Sequence, residues 1–351
     1  MSEDTQAPTP LSGQTRADLE AFCAEAGLPR FRAAQIYRAV QAECRLDMEE
    51  VTTLPLAMRT TLMERFAPPA TKTVEVQVSD DGTRKYLFAL HDGKRIEAVM
   101  IPEGKRKTVC ISSQVGCPVR CIFCASGVEG LVRNLSTAEI VEQLLRVTAD
   151  VGERPTNIVM MGMGEPLLNI DAVTDAIRLW TDKDALNFSP RRITVSTAGT
   201  ATRIDRLAGA DLGVHLAISL HGSDDKSRAA LVPGSPEGRV QQLIDAAARY
   251  ARKTKRDATV EYVLIAGMND QLRHAEYLAD AIRGRHIHVN LIPLNPVKHR
   301  PDLRPPSIRD ARAFADSLLD AGVSVTLRTQ RGEDIDAACG QLALERSIQD
   351  A

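Results

Sequence analysis

The stretch "GCPVRCIFCASG", residues 116–127, holds Cys117, Cys121 and Cys124 in the spacing C-x3-C-x2-C. Thiolates so close along one loop can converge on a soft metal or an iron–sulfur cluster. Pro118 limits the loop's freedom, and Phe123 is placed to shield what the loop holds. Disulfides consume cysteines in pairs and a closed structural zinc site takes four ligands, so three cysteines leave a position open. Two chemistries fit. One is zinc closed by Cys110, which lies seven residues earlier, or by a histidine from elsewhere in the chain. The other is a four-iron cluster with one iron free to bind a further molecule, and the spacing, unusual for zinc, favours it.

Other chemistry-bearing residues are spread along the chain. "MGMGEP" (161–166) offers Gly164, where a ligand could approach the backbone, and Glu165, a hydrogen-bond acceptor for an ammonium group. "STAG" (196–199), "SLHG" (219–222) and "PLNP" (293–296) present Ser196, Ser219, His221 and Asn295, short polar groups suited to ribose, carboxylate or amide contacts. Any one of them alone is as well explained as a cap or turn residue. Cys339 stands among small residues in "DAACG", where an accessible thiol and a packed helix-end thiol are equally good readings.

The elements that must position these residues form a regular pattern. Strand-like runs "KTVCISS", "NIVMMGM", "RITVST", "VHLAISL", "ATVEYVLI", "IHVNLIP" and "VSVTLR" alternate with helix-like segments such as 136–149, 238–254, 271–283 and 307–321. Such alternation predicts a parallel sheet with helical crossovers, either a partial or full barrel or a doubly wound sheet. In those folds ligand-binding residues collect at the C-terminal ends of strands, which is where these motifs fall. Before this core, residues 15–68 are predicted to be a small helical accessory domain containing Cys23 and Cys44 as ordinary packed thiols. Residues 69–104 read as a β-meander linker turning at Asp81-Gly82 and Asp92-Gly93. Residues 1–14 and 343–351 read as tails, the first of them disordered, and the core runs over 105–342.

The 351-residue chain is 44% hydrophobic and 26% charged, without a run that could span a bilayer or a secretory leader, so a reduced cytoplasmic setting is expected. There, seven cysteines point to metal binding or catalysis rather than a disulfide framework. Net charge is −2, which argues against a uniformly basic nucleic-acid binder. Basic clusters at 104–107, 251–256, 283–288 and 298–300 would form an RNA-sized footprint only if they shared a surface.

Taken in order, "TVCISSQVGCPVRCIFCASG", "NIVMMGMGEPLLN", "RRITVSTAG", "AISLH", "EYVLI", "VNLIPLNP" and "RGEDIDAACGQL" resemble the RlmN/Cfr family of radical S-adenosylmethionine RNA methyltransferases, from about Glu97 to Leu342. The resemblance implies a partial (β/α) barrel in which Cys117, Cys121 and Cys124 hold a [4Fe-4S] cluster whose open iron chelates S-adenosylmethionine. Gly164 and Glu165 would bind the methionine amino end, and Ser196, Ser219, Leu220, His221 and Asn295 would line the rest of that molecule. Cys339 would carry the methyl group, Cys110 would resolve the adduct through a disulfide that external thiols reset, and Glu97 would accept the ring proton. The implied partners are 23S rRNA at the peptidyl transferase centre, tRNA, and a flavodoxin-like reductant, with the enzyme a monomer. "MGMGEPLLN" and "RGEDIDAACGQL" favour C2 of adenosine over C8. Residues 219–239 depart from the family pattern, which bears on substrate contacts more than on the chemistry. A reading of another class, an RNA-binding module with a structural zinc, remains open and is separable by iron, sulfide and zinc content.

Overall fold

In the computed structural model, which describes residues 8–235, 239–328 and 331–342, the helical periodicity of the N-terminal region produces three helices, α1 (Arg16–Glu25), α2 (Phe31–Gln41) and α3 (Leu56–Arg65). A reciprocal cap starts α1: the Thr15 hydroxyl accepts from the Asp18 amide at 3.2 Å, and the Asp18 carboxylate accepts from the Thr15 amide at 2.8 Å. Leu19, Phe22 and Cys23 form its buried face, against Ala33, Ile36, Tyr37 and Val40 of α2.

The expected disordered tail does not hold for residues 8–14. Leu11–Gly13 form a 3-10 turn, and Pro10 bridges Ala67. The Ser12 hydroxyl donates to Glu142 at 2.6 Å, and the Gln41 side chain donates to the Ser12 carbonyl at 2.8 Å. Glu142 is fully buried, and burial pushes its pKa up. It offsets that cost by also accepting from the Ala70 and Thr71 amides at 2.8 and 2.7 Å, so one carboxylate ties the N-terminal segment to the core. The proposed tails at 1–7 and 343–351 lie outside the described residues.

Strands β1 (Thr71–Val78), β2 (Arg84–Leu90) and β3 (Arg95–Glu103) form the expected meander, turning at Gly82 and Gly93 with φ of +81° and +76°. It does not stand apart as a link. β3 pairs antiparallel with β4 (Arg106–Cys110), so the meander continues the main sheet. Next come the hairpin β5 (Gln114–Gly116) and β6 (Leu131–Asn134), α4 (Thr137–Val151), β7 (Asn157–Met160), α5 (Ile170–Thr181), β8 (Ile193–Thr197) and α6 (Ala201–Gly209). They are followed by β9 (His215–Ser219), α7 (Asp225–Leu231), α8 (Val240–Thr254), β10 (Ala258–Leu264), α9 (Leu272–Ile282), β11 (Ile287–Pro293), α10 (Ile308–Asp320) and β12 (Val325–Leu327).

The ten-stranded sheet runs β1-β2-β3-β4-β7-β8-β9-β10-β11-β12, parallel from β4 onward. β12 does not pair back to β4, so the parallel part is an open, partial (β/α) barrel. Helices cover the parallel strands, whose helix-facing residues, such as Val260, Tyr262 and Leu264, are fully buried. No helix among the described residues is long and apolar enough to cross a membrane.

Strand direction also sorts the basic clusters. Residues 104–107, 251–256 and 283–288 lead into β4, β10 and β11, at the N-terminal end of the barrel, whereas 298–300 follow β11 at the opposite end. Of the four, the cluster at 298–300 alone lies at the end that carries the motifs.

Candidate active site

The cysteine loop is carried between β5 and β6, just beyond the end of β4, and is closed by backbone hydrogen bonds from distant segments. The amide of Cys117 donates to the Gly130 carbonyl at 2.9 Å, that of Ile122 to Leu231 at 3.1 Å, and that of Ala125 to Gly340 at 2.8 Å. Cys117, Cys121 and Cys124 thereby line one cavity together with Glu165, His221 and Cys339. Burial raises all three thiols, Cys117 to about 12, and repulsion between neighbouring thiolates raises Cys121 further. Desolvated thiolates are costly unless a positive centre takes their charge.

The donor set therefore fits a soft cationic group such as an iron–sulfur cluster. Among the described residues, no three His, Cys, Asp or Glu side chains surround one point as ligands of a single metal ion would. Cys110, the possible fourth zinc ligand, is not a wall of this cavity; the thiol that acts on it electrostatically is Cys339.

Glu165 is anchored as well as buried. It accepts from the Thr197 hydroxyl at 2.6 Å and from the Leu167 and Ala198 amides at 3.0 and 2.8 Å, yet burial still raises its pKa. Gly164 precedes it at φ +103°, where a Cβ would stand 2.6 Å from the Gln114 Cβ, so a side chain there would displace the cysteine hairpin. The Ser196 and Ser219 hydroxyls lie 3.2 Å apart on adjacent strands. His221 Nδ1 accepts from the Val263 amide at 3.1 Å, which puts the ring proton on Nε2. Burial and then the Arg228 charge depress its pKa to about 3, so the ring is neutral, edge-on to Phe123. Asn295 donates to the Cys339 carbonyl at 2.8 Å, and its Oδ1 is buried without a partner. Leu220 differs from expectation: its side chain is fully buried in the core and lines none of the cavity.

Cys339 opens on the cavity, so solvent reaches it, while the surrounding protein desolvates the thiol and raises its pKa. Cys110, at the end of β4, is buried, and its pKa rises for the same reason. Glu97 is buried on β3 and does not line the cavity. All seven cysteines are free thiols, so the implied Cys110–Cys339 disulfide is not formed in this state. Cys23 is buried and Cys44 half-buried, away from the site.

The radical SAM superfamily signature matches residues 111–278. A crystal structure of a radical SAM methyltransferase from Sphaerobacter thermophilus is similar over 96% of this chain and all of that one, with 43% identity and a TM-score of 0.92. A Thermus thermophilus relative that carries the RlmN name is 45% identical over 318 residues, 90% of this chain and 89% of the relative. The dual-specificity RNA methyltransferase RlmN of Marinobacter nauticus is 42% identical over 340 residues, 95% of this chain and 92% of that protein. The chain belongs to the RlmN family of radical SAM RNA methyltransferases.

Two residues of this RlmN-family site escaped the sequence reading. Arg228 sits in the polar run "SDDKSR" and reads as a solvated helix charge, yet it is almost fully buried. Its guanidinium donates to the carbonyls of Ser219, Leu220 and Ala198 at 2.8, 2.5 and 2.9 Å, tying together the loops after β8 and β9. Burial lowers its pKa to about 10, and the charge acts on Cys121 and Glu165. Glu261 offered a usable signal, a carboxylate in the middle of the apolar strand "ATVEYVLI". It pairs in register with Ser219 and Asn290, accepts from the Asn290 amide group at 2.8 Å, and leaves Oε2 without a protein partner in the cavity wall. A ligand donor would satisfy that oxygen.

Removing one thiol of the triad tests its role directly. Cys121→Ala is expected to yield colourless protein with little iron or sulfide after anaerobic reconstitution. A variant with the parent's iron and sulfide content would refute the ligand assignment.

Proposed function

We propose that this chain methylates C2 of adenosine in 23S rRNA and in tRNA, carrying the methyl group on Cys339. The observation that carries this reading is the seating of Cys339 in the same cavity as the cysteine triad, with the next residue's carbonyl bonded to the Ala125 amide at 2.8 Å. A methyl-carrying thiol must reach both the group that loads it and the RNA base, and a thiol in the wall of an open cavity can do so.

Cys117, Cys121 and Cys124 would hold a [4Fe-4S] cluster, with S-adenosylmethionine against Gly164, Glu165, Ser196, Ser219, His221, Asn295 and the backbone at Leu220. Cluster and S-adenosylmethionine together supply a methyl cation equivalent and, on reduction by a flavodoxin-like donor, a carbon radical. The chain's own residues divide the remaining work. The carboxylate of Glu165 accepts from an ammonium group, held in place by its three protein donors. The neutral His221 ring leaves its Nε2 proton free to donate. Cys339 Sγ would take the methyl group as a thioether; that methyl would give one hydrogen atom to the carbon radical and bond through its carbon to the adenine ring, and the adduct would return one electron to the reductant side as it loses the ring proton. Glu97 accepts the proton lost from the ring carbon, and Cys110 attacks Cys339 Sγ to free the product.

A ring carbon of adenine is a poor nucleophile, so direct displacement at a sulfonium methyl does not serve, and a covalent carrier with a resolving partner does. The test is mass spectrometry of nucleosides from 23S rRNA and tRNA treated with the reconstituted protein. 2-Methyladenosine in both is expected. Methylation at C8 alone would replace the proposal with the Cfr-type reaction, and stoichiometric zinc without methylation would favour a binding module.

A further inference from the structure

The β1–β2 hairpin and the segment bearing Cys339 are held together at successive points. The Ser79 hydroxyl donates to Asp334 at 2.6 Å, and the Gly332 amide donates to Asp81 at 3.2 Å. Farther along β2, Lys85 Nζ donates to the Asp336 carbonyl at 3.4 Å, three residues before Cys339. The same ammonium lies 3.6 Å from a carboxylate oxygen of Glu97, with only 12% and 11% of the two side chains exposed. Screening by solvent is weak at that depth.

Strand register explains the meeting. Lys85 is opposite Val99 and Leu87 opposite Glu97 in the antiparallel β2–β3 pair, which makes Lys85 and Glu97 diagonal neighbours on one face. Val99 is in turn opposite Cys110 on β4, so Lys85, Glu97 and Cys110 share that face. A lysine in the strand "RKYLFAL" has no need to be buried for the sheet's sake, and a solvated position would cost less.

We propose that Lys85 is a positioning residue for the second half of the reaction: it seats the Cys339 segment through Asp336 and holds the Glu97 carboxylate on the face that carries Cys110. The inference rests on the methylcysteine reading above. Lys85 is not a wall of the cavity and meets the Cys339 segment three residues away from the thiol, so the end-point extent of methyl loading on Cys339 should not depend on it. Proton removal from the RNA adduct should.

The test uses the full-length reconstituted protein with Lys85→Met, Lys85→Gln and Lys85→Arg. In Lys85→Met and Lys85→Gln, turnover with RNA is expected to fall about 10- to 100-fold while KM for RNA is unchanged, with Lys85→Arg largely restoring it. The Cys339 peptide should gain its methyl mass as in the parent. RNA deuterated at the methylated ring carbon should show a larger isotope effect on turnover in the Met and Gln variants. Without cluster or S-adenosylmethionine, hydrogen exchange across residues 331–342 should be faster in Lys85→Met than in Lys85→Arg. Turnover within twofold of the parent, an unchanged isotope effect, unchanged exchange, or loss of methyl loading would each overturn the inference. If the parent protein itself never acquires a methyl on Cys339, the functional reading fails and this inference falls with it.

Discussion

Cys339→Ala is expected to keep its iron, its sulfide and its reductive cleavage of S-adenosylmethionine while losing RNA methylation by at least roughly 1,000-fold, as removal of a covalent nucleophile does. The structure makes this a clean separation. The segment around Cys339 is held by backbone acceptors and by its neighbours: Asn295 donates to the Cys339 carbonyl at 2.8 Å, Ala125 to the Gly340 carbonyl at 2.8 Å, and Ser126 to the Leu342 carbonyl at 2.7 Å. None of these bonds uses the sulfur. Gly340 adopts φ +87°, and a Cβ there would stand 2.9 Å from the Phe123 carbonyl oxygen, a close approach that the change at 339 leaves in place. The triad rides on the loop between β5 and β6, whose bonds to this segment, from Ala125 and Ser126, go to the Gly340 and Leu342 carbonyls. Iron and sulfide assays, chromatography of 5′-deoxyadenosine and nucleoside mass spectrometry measure the three outcomes on one preparation. Methylation at the parent's rate would end the carrier role.

That separation was readable in the sequence because strand–helix alternation is a strong signal when the strands are buried on both faces. All seven runs from "KTVCISS" to "VSVTLR" became parallel strands, β4 and β7 to β12, and the motifs lie at or just beyond their C-terminal ends or in the segment after β12. Features that depend on distant partners were not readable. β5 and β6 are three and four residues long, too short to show a period, yet they frame the cysteine loop. The meander at 69–104 read as a linker because its turns are local, whereas its pairing with β4 is not. Arg228 and Glu142 look like surface charges because burial of a charged residue is set by the carbonyls, amides and hydroxyls that come to meet it. The family resemblance implied Leu220 at the cofactor, but its side chain turns into the core. The basic clusters, adjacent to nothing in sequence, divide between the two ends of the barrel because strand direction places them there.

Cys110→Ala is expected to stall the reaction one step later, with protein and RNA covalently joined. In the proposed sequence the Cys110 thiolate attacks Cys339 Sγ, an S–S bond forms, and the carbon–sulfur bond to the modified base breaks. The electron pair of that bond stays on the carbon, which takes a proton and becomes the methyl group. Two thiols are thus oxidised to a disulfide, and external thiols reduce it. Without Cys110 no other described cysteine is placed for this attack: Cys23 and Cys44 belong to the N-terminal helical region, and the triad thiols are assigned to the cluster. The trapped species should run as a slower band on a denaturing gel, collapse on ribonuclease treatment and persist in excess thiol, because its link is a thioether and not a disulfide. The band should vanish in the Cys110→Ala, Cys339→Ala double variant. If Cys110→Ala releases methylated RNA and leaves no such band, resolution runs through another group and Cys110 is a core residue of β4.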